Sequence, residues 1–380
     1  MKIERIDSFI VPPRWCFVKV STDKGIDGWG EPIVEGRAAT RVALIDELSD
    51  YLIGKDPSKI EQLGPALYRG GSYRGGALHL SAVAGLDQAL WDIHGKRHGM
   101  AVHQMLGGAV RDRIRIYSSI VGSEPIDLAR QAKELKESGL TFIKMNAVEV
   151  LEPFVEFDEH SKAVARVAEV RDAIGPSIGL GIDLHGRVSR AQAKRLLNVL
   201  DEFEPSFYEE PVLSEHASAL AEITNHTSTP IALGERLVSR WDFRPILESG
   251  HVDILQPDPC HAGGITETRK IAALAETYDV SLALHCPLGP IALAANLQLA
   301  AVCTNIQLQE QRLSVEKPSP DLRYVRSDQS YHYREGFVEI PKGPGLGIIL
   351  DEVEIRAAAE IGHRWRNPIW HRQDNSFCEW

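Results

Sequence analysis

From about residue 114 onward, short apolar runs alternate with amphipathic segments. Pro125 opens one such segment, Leu128 and Ala132 share one face of it, and it ends at Gly139. Short apolar runs separated by helical periodicity predict strands joined by helices. The eight runs are IRIYSSI (114–120), TFIKMN (141–146), IGLGID (178–183), FYEE (207–210), IALGE (231–235), VDILQPD (252–258), VSLALH (280–285) and IQLQE (306–310).

Eight such units predict an α/β protein with a TIM-type parallel (β/α) barrel. Parallel strands joined by right-handed helical crossovers close into a barrel of this kind. An open doubly wound sheet is the alternative, and it predicts a glycine-rich phosphate loop after the first strand. The segment at that place, IVGSEP (120–125), is not such a loop. The closed barrel is therefore favoured.

The chain before the barrel has a mixed α+β pattern. Its segments are strands at 2–10 and 15–21, a third strand after Asp27-Gly28, and helices at 38–52 and 77–97. The turn residues between these strands are typical of a small antiparallel meander. We therefore expect a separate N-terminal domain.

The C-terminal tail differs again. Residues 343–347, GPGLG, predict a loop, and residues 365–380 hold three of the seven tryptophans. We expect a tail this aromatic to pack on the N-terminal domain. The predicted parts are an N-terminal α+β capping domain at 1–113, the catalytic barrel at 114–335, and a C-terminal segment at 336–380 that completes the cap.

Composition narrows the partners. The 380 residues carry a formal net charge of -11, which disfavours nucleic acid and anionic membrane as partners. The five cysteines form no CxxC pair, so neither a disulfide framework nor a cysteine-rich zinc site is expected. The charged N-terminus leaves no secretory apolar region, and no apolar stretch reaches ~18 residues. We expect a cytoplasmic protein.

Six consecutive predicted strands, the third to the eighth, end in an acid or a histidine. These residues are Asp183, Glu209, Glu235, Asp258, His285 and Glu310, at spacings of 26, 26, 23, 27 and 25 residues. Each spacing is about one βα unit, so in a barrel all six meet at the C-terminal mouth, where active sites lie. Helix N-caps are the alternative for single acids, but three of the positions are Glu, which is a poor N-cap.

Three of these residues, Asp183, Glu209 and Glu235, form an all-oxygen donor set on adjacent strands. Hard oxygen ligands favour Mg²⁺, with Mn²⁺ as a substitute, over zinc. A magnesium ion held in this way suits a substrate that supplies its own oxygens. Its expected use is to hold a carboxylate and to stabilise the enediolate formed when the adjacent proton leaves.

The ligand trio followed by Asp258 and His285 resembles the mandelate racemase-like branch of the enolase superfamily. Further segments resemble sugar-acid dehydratases of that branch. They are PPRW (12–15), GWGEP (28–32), YRGG (73–76), DQALWDI (87–93), HGRVS (185–189), EEPV (209–212), HAGGITE (261–267), HCPLGPIALAA (285–295), LQEQ (308–311) and WRNP (365–368). The resemblance covers the whole chain and implies a modified (β/α)7β barrel under a capping domain, one Mg²⁺ per subunit, and a homo-oligomer.

The resemblance also implies a role for each polar residue of the mouth. His285 is expected to be the general base that takes the C2 proton, with Asp258 orienting it and raising its basicity. His185 is expected to be the general acid that protonates the departing 3-hydroxyl. Glu310 is expected to hydrogen-bond the enediolate, for which it must be protonated, and crowding by other carboxylates favours a raised pKa.

Three positions depart from the family pattern or need weighing. Many relatives carry Lys-x-Lys on the second barrel strand, whereas this chain has Lys144-Met145-Asn146. Asn146 cannot transfer protons, which disfavours a racemase or cycloisomerase, and Lys144 and Asn146 are expected as substrate contacts. Leu284 stands where the family suggests Pro. Strand alternation points Glu210 away from the metal if Glu209 points inward.

The expected function is therefore Mg²⁺-dependent dehydration of a small-molecule sugar acid. Within the fold, different aldonates and aldarates remain alternative substrates. A catalytically silent barrel that binds a sugar acid is the alternative of a different class. The ligand trio and the two histidines argue against it, because a sensor has no need of a base and an acid.

Overall fold

The computed structural model describes residues 1–149, 157–311, 320–326 and 331–379. Its strands are β1 (Ile3–Val11), β2 (Trp15–Thr22), β3 (Asp27–Gly30), β4 (Arg113–Ile120), β5 (Phe142–Asn146), β6 (Gly179–Asp183), β7 (Phe207–Glu209), β8 (Ile231–Leu233), β9 (Ile254–Leu255), β10 (Ser281–Leu284), β11 (Ile306–Glu310), β12 (Tyr333–Arg334), β13 (Phe337–Glu339), β14 (Trp370–His371) and β15 (Phe377–Cys378).

The helices follow the strands in the rhythm that the sequence predicts. They are α1 (Ala38–Leu52), α2 (Ile60–Arg69), α3 (Gly76–His98), α4 (Val102–Met105), α5 (Pro125–Glu137), α6 (Phe157–Ile174), α7 (Arg190–Leu200), α8 (Leu220–Ile223), α9 (Arg240–Ser249), α10 (Gly264–Glu276), α11 (Pro290–Val302) and α12 (Glu352–Ile361). Short 3₁₀ turns lie between several of them.

The strands β4 to β11 form a closed parallel barrel. They pair in chain order, and β11 returns to pair with β4. All eight predicted runs contain one of these strands, so the predicted fold class is confirmed. The strands β5 to β10 are shorter than their runs, most of all β9, where only Ile254–Leu255 of the sixth run is extended.

A layer of large and small side chains fills the barrel interior. Tyr117, Phe142 and Phe207 pack there against Ala232 and Ala283. The rings of Phe142 and Phe207 stack with their centroids 5.5 Å apart. Because side chains alternate along a strand, residues two positions further on also point into the barrel, one layer nearer its mouth.

The N-terminal domain is the predicted meander with helices packed on it. Strands β1, β2 and β3 form an antiparallel sheet, and α3 lies against β3. The contact is close: a Cβ added at Gly30 would lie 1.9 Å from the Gly85 carbonyl oxygen of α3. The glycines of the GWGEP segment therefore let backbone meet backbone. The sequence analysis did not predict α2, in which Gly64 and Pro65 are poor helix formers.

The C-terminal segment returns to both parts of the molecule. The hairpin β12–β13 pairs antiparallel with the start of β4. Helix α12 packs on β1, and Lys19 Nζ lies 2.7 Å from Glu352 Oε2. Trp380, the last of the tail tryptophans, lies outside the described residues. Among the helices that are described, none is both long and apolar enough to cross a membrane.

Candidate active site

Strand alternation brings four of the predicted site residues to the barrel mouth. Lys144, Glu209, His285 and Glu310 each lie two positions beyond a side chain of the interior layer, namely Phe142, Phe207, Ala283 and Leu308. All four are buried. The predicted convergence of strand ends therefore follows from the pleat of each strand and the closure of the barrel.

Lys144 lies among three carboxylates. Its Nζ is 2.7 Å from Glu209 Oε1, 3.4 Å from Glu310 Oε1 and 3.6 Å from Asp183 Oδ2. Burial opposes its charge, but the carboxylates outweigh burial and raise the Lys144 pKa well above its usual value. The side chain is therefore an ammonium in the middle of the site, and its expected contact with substrate stays a prediction. Asn146 lies two residues further along β5 and pairs in register with Asp183 of β6.

His285 and Asp258 form a hydrogen-bonded pair. The ring Nδ1 lies 2.8 Å from Asp258 Oδ2, and Asp258 Oδ1 accepts from the Cys260 amide at 2.6 Å. The ring Nε2 is 3.3 Å from Glu235 Oε2. Burial disfavours the imidazolium, but Glu235, Asp258 and Glu310 outweigh burial and raise the His285 pKa to about 10. Asp258 thus orients the ring and leaves Nε2 facing the mouth.

His185 stands on the opposite side of the mouth, directly after β6. It has a left-handed backbone (φ 52), and so does the following Gly186 (φ 63). The His185 amide donates to Asp183 Oδ1 at 2.7 Å, and its ring Nδ1 lies 3.5 Å from Asp183 Oδ2. The β6 and β10 strands are third and seventh in the eight-stranded barrel, so the two histidines approach the mouth from opposite sides.

Glu210 does not point away from the site as the sequence analysis expected. Its backbone is left-handed (φ 41), which breaks the strand alternation after Glu209. Ligand atoms of His185, Glu210 and Glu235 all lie within 4.8 Å of one another. Arg236 Nε contacts both carboxylate oxygens of Glu210, at 2.9 and 3.2 Å. Glu210 therefore belongs to the mouth, where it is paired with Arg236.

The donor set fits a hard divalent cation. Asp183, Glu209, Glu210 and Glu235 supply carboxylate oxygens. Among the described residues, Lys144, Arg236 and the His285 ring are cationic groups in contact with them. Burial and the charges of Asp183 and Glu235 together raise the pKa of Glu209 to about 8, against the lowering effect of Lys144. Such crowding of buried carboxylates is relieved by a bound divalent cation. These acidic groups can hold a metal ion.

Glu310 is not in the protonation state that the sequence analysis expected. Burial favours its neutral form, but Lys144 and His285 outweigh burial, and the pKa of Glu310 is lowered. Two donors add to this effect: Ser119 Oγ at 3.0 Å from Oε1 and the Cys286 amide at 3.1 Å from Oε2. Glu310 is therefore an ionised acceptor. The expectation of a raised pKa overlooked the charges of Lys144 and His285 beside Glu310.

Two carboxylates of the capping domain cap barrel helices. Glu31 accepts from the amides of Gly289 (2.8 Å) and Ala292 (2.9 Å) at the start of α11. Asp87 accepts from the Thr266 amide (3.1 Å) and hydroxyl (2.6 Å) in the first turn of α10. Helix N-termini carry unpaired amides and a positive dipole end, so acids are stabilising there. These contacts explain why acids occur in the apolar GWGEP and DQALWDI segments.

A third link from the cap leads to the predicted base. Glu35 Oε2 lies 3.6 Å from His261 Nε2, and His261 Nδ1 lies 3.9 Å from Asp258 Oδ2. The rings of His261 and His285 are 5.8 Å apart. The sequence analysis singled out His261 only as part of a motif. His261 lies in the loop before α10, and nothing in the sequence pattern indicates that its ring lies beside His285.

Comparisons with known proteins agree with this architecture. The family model for the enolase C-terminal domain-like fold matches residues 127–354. The model for the N-terminal domain of mandelate racemase / muconate lactonizing enzyme matches residues 12–107. The chain therefore belongs to the mandelate racemase / muconate lactonizing enzyme family of the enolase superfamily.

The relatives are more specific. The chain is 49% identical to a D-galactonate dehydratase of Ralstonia pickettii and 48% identical to one of Ralstonia nicotianae, over 100% of both chains in each case. It superposes with a TM-score of 0.91 and 30% identity, over 100% of both chains, on an enolase from Agrobacterium radiobacter, provisionally named a galactarate dehydratase and bound to Na and L-malate. The chain is thus a sugar-acid dehydratase, a hydro-lyase.

Proposed function

We propose that this protein dehydrates D-galactonate to 2-dehydro-3-deoxy-D-galactonate and uses Mg²⁺ to do so. The observation that carries the proposal is the pair of histidines on opposite sides of one carboxylate-lined mouth. A C2 proton and a 3-hydroxyl that leave from opposite faces of a sugar acid need a base and an acid placed in this way. The D-galactonate dehydratases that match over their whole length support the choice of substrate.

Asp183, Glu209 and Glu235 are the residues that we assign to the metal. Asp183 and Glu209 end β6 and β7, Glu235 lies two residues beyond the end of β8, and all three offer hard oxygen donors. When bound, a divalent cation supplies positive charge beside the substrate carboxylate. This charge makes the proton on C2, the carbon attached to that carboxylate, easier to remove. Glu210 is the competing ligand. We assign Glu209 because it pairs in register with Asp183, whereas the Glu210 carboxylate is paired with the Arg236 guanidinium.

His285 acts as the base through Nε2. Its Nδ1 is held by Asp258, so Nε2 is the nitrogen that meets the substrate. A base must be neutral to accept a proton, and Glu235 is the carboxylate that most strongly favours the charged ring. Neutralising the Glu235 charge would therefore lower the His285 pKa and free the ring for proton abstraction.

His185 acts as the acid that protonates the 3-hydroxyl as it leaves. Its contact with Asp183 keeps it on the β6 side of the mouth, across from His285. Lys144 is a fixed ammonium at the centre, and we assign it to the substrate carboxylate together with Asn146. Glu310, ionised and bound to Ser119, holds Lys144 in place and balances its charge.

A panel of sugar acids tests this proposal. The purified protein with Mg²⁺ is incubated with aldonates and aldarates that differ in configuration at C2 to C5, and 2-keto acid is measured. We expect D-galactonate to give the highest kcat/KM and chelation to abolish turnover. A preference for a diacid such as galactarate would contradict the substrate assignment. Undiminished turnover after thorough chelation would contradict the role given to the metal.

A further inference from the structure

The C-terminal residues 363–371, here called the tail strap, contact loops on opposite sides of the barrel mouth. At one end His363 Nε2 lies 3.1 Å from the carbonyl oxygen of Trp15, in the capping domain. At the other end the Trp370 ring lies against Arg187, two residues after His185. The strap therefore runs from the side of the β10 loop to the side of the β6 loop.

The first end of the strap is tied to the loop that follows the base. The Arg14 guanidinium lies 5.2 Å from the centre of the Trp365 ring, and its Nη2 donates to the Pro287 carbonyl at 3.0 Å. Pro287 is two residues beyond His285. Between the two ends, the strap passes close to the cap: a Cβ added at Gly36 (φ 75) would lie 3.0 Å from the Asn367 amide nitrogen.

The second end rests on Arg187. Its guanidinium carbon lies 4.6 Å from the centre of the Trp370 ring, and its Nη1 donates to the Val148 carbonyl at 3.0 Å. Within the described part of the chain, its Nε is buried and has no hydrogen-bond acceptor. A buried donor without a partner costs about 1–3 kcal/mol, so an acceptor brought by a ligand would stabilise Arg187.

Arg187 lies at the barrel mouth, four residues beyond the end of β6, and its Nη1 binds the Val148 carbonyl two residues beyond the end of β5. The charges of Asp183, Glu149 and Glu235 act on its guanidinium, and Arg236 opposes them with a like charge. Because Asp183 and Glu235 are assigned to the metal, the free donor of Arg187 is left for another acceptor. An aldonate carries its carboxylate at C1, so the acceptor at its far end is a hydroxyl oxygen.

We propose that the tail strap forms the outer wall of the active site, and that Arg187, held against Trp370, binds a hydroxyl at the far end of the sugar acid. This inference rests on the proposed dehydration of an aldonate. In it, Arg187 is a substrate-binding residue, and Trp370 is a positioning residue that fixes the plane of the guanidinium. Together they set the length of sugar acid that the enzyme accepts.

Chain length is the property to measure. The substrates are a six-carbon aldonate and a four-carbon aldonate with the same configuration at C2 and C3, so that only the distal hydroxyls differ. The variants are Arg187→Met, which keeps length but removes the donors, Trp370→Ala, and Trp370→Phe, which keeps a ring. Trp241→Ala is the matched control, because Trp241 also packs on an arginine, Arg240 at 4.5 Å, but on α9.

We expect Arg187→Met and Trp370→Ala to raise KM for the six-carbon acid about 10- to 100-fold, the loss typical of one charge-assisted hydrogen bond. Their kcat should stay within about threefold of wild type, and the four-carbon acid should be unaffected. Trp370→Phe should restore the six-carbon KM, and Trp241→Ala should change neither substrate. Equal losses on both acids, or the same loss in Trp241→Ala, would overturn the proposal.

Binding separates this inference from the proposed function. Calorimetric titration of the same acids into Mg²⁺-loaded His285→Asn protein, with and without Trp370→Ala, needs no turnover. Failure of wild type to form keto acid would refute the proposed function alone. A chain-length preference in binding that survives Trp370→Ala would refute the role of the strap alone. A loss of preference confined to diacids would show that Arg187 binds a second carboxylate and would also overturn the proposal.

Discussion

At the scale of single residues, the site is defined by which charges lie next to each other. His285 is surrounded by carboxylates, whereas Glu310 has Lys144, His285 and two donors around it. Burial alone would lower the pKa of His285 and raise that of Glu310, and the neighbouring charges reverse both shifts. The roles proposed for the histidines and carboxylates of the mouth therefore depend on these neighbours rather than on residue type.

The two histidines should be separable by isotope exchange. His185→Asn should lose dehydration of the sugar acid yet still exchange the C2 proton with solvent deuterium, because proton removal precedes departure of the hydroxyl. His285→Asn should lose both. Each loss should be ~10²–10⁴-fold, the usual contribution of a positioned acid or base. NMR of the recovered substrate measures the exchange, and the reverse pattern would mean that the acid and base are interchanged.

The two adjacent glutamates should differ in metal binding. Glu209→Gln should weaken Mg²⁺ or Mn²⁺ binding by 100-fold or more, at the scale of a lost charged ligand, because Glu209 points into the barrel mouth. Glu210→Gln should weaken it less than tenfold, because in the proposed assignment Glu210 pairs with Arg236 and is not a ligand. Calorimetry or Mn²⁺ resonance on the chelated protein gives both affinities. A larger effect at Glu210 would assign the metal to the group of His185, Glu210 and Glu235.

At the scale of elements, the capping domain is joined to the barrel through helix ends. Glu31 caps α11, which follows the base, and Asp87 caps α10, which follows the loop of Asp258. Both helices begin directly after loops that carry site residues. The cap thereby fixes the start of two barrel helices and, through them, the loops that hold His285 and Asp258.

Asp87 gives this junction a pH dependence. Burial raises the pKa of Asp87 in the folded protein to about 7 from 3.8. The folded protein therefore holds this proton more tightly than the unfolded chain. The stability gained in this way is complete below the unfolded pKa and is lost as pH rises through 7. Asp87→Asn should therefore gain stability relative to wild type between pH 5 and pH 8, by roughly 1–3 kcal/mol. Denaturant unfolding at both pH values measures the difference.

The control for Asp87 is an exposed aspartate that also lies on a helix of the N-terminal domain. Asp46 lies exposed on α1 in the same domain. Asp46→Asn should shift stability by the same small amount at both pH values. A pH-independent difference between Asp87→Asn and wild type would show that Asp87 is ionised throughout this range and acts as a charged cap.

At the scale of the whole molecule, the active site is enclosed by three separate stretches of chain. The barrel supplies the acids and histidines, the N-terminal domain supplies Glu35 beside His261, and the C-terminal segment lies between the Arg14 and Arg187 sides of the mouth. The barrel alone would leave its mouth open to water. Exclusion of water from charged groups strengthens their interactions, which is the physical use of a cap over such a site.

The sequence by itself determined the barrel and the convergence of its strand ends. Both depend on properties that are local along the chain: the alternation of side chains on a strand and the repeat of one βα unit between Asp183, Glu209 and Glu235. His285 and Lys144 also face inward for this reason. The α2 helix was missed because it contains a glycine and a proline, which have low helix propensity, although its apolar residues keep helical spacing.

Only the tertiary structure decided how the site residues are paired and charged. The left-handed backbone of Glu210 turns its carboxylate toward the mouth, which no alternation rule foresees. Glu310 is ionised because Lys144, from a strand far away in sequence, lies 3.4 Å from it. Electrostatic energies depend on distance and burial in space, so residues far apart in the chain fix them, and the pattern along the chain does not contain them.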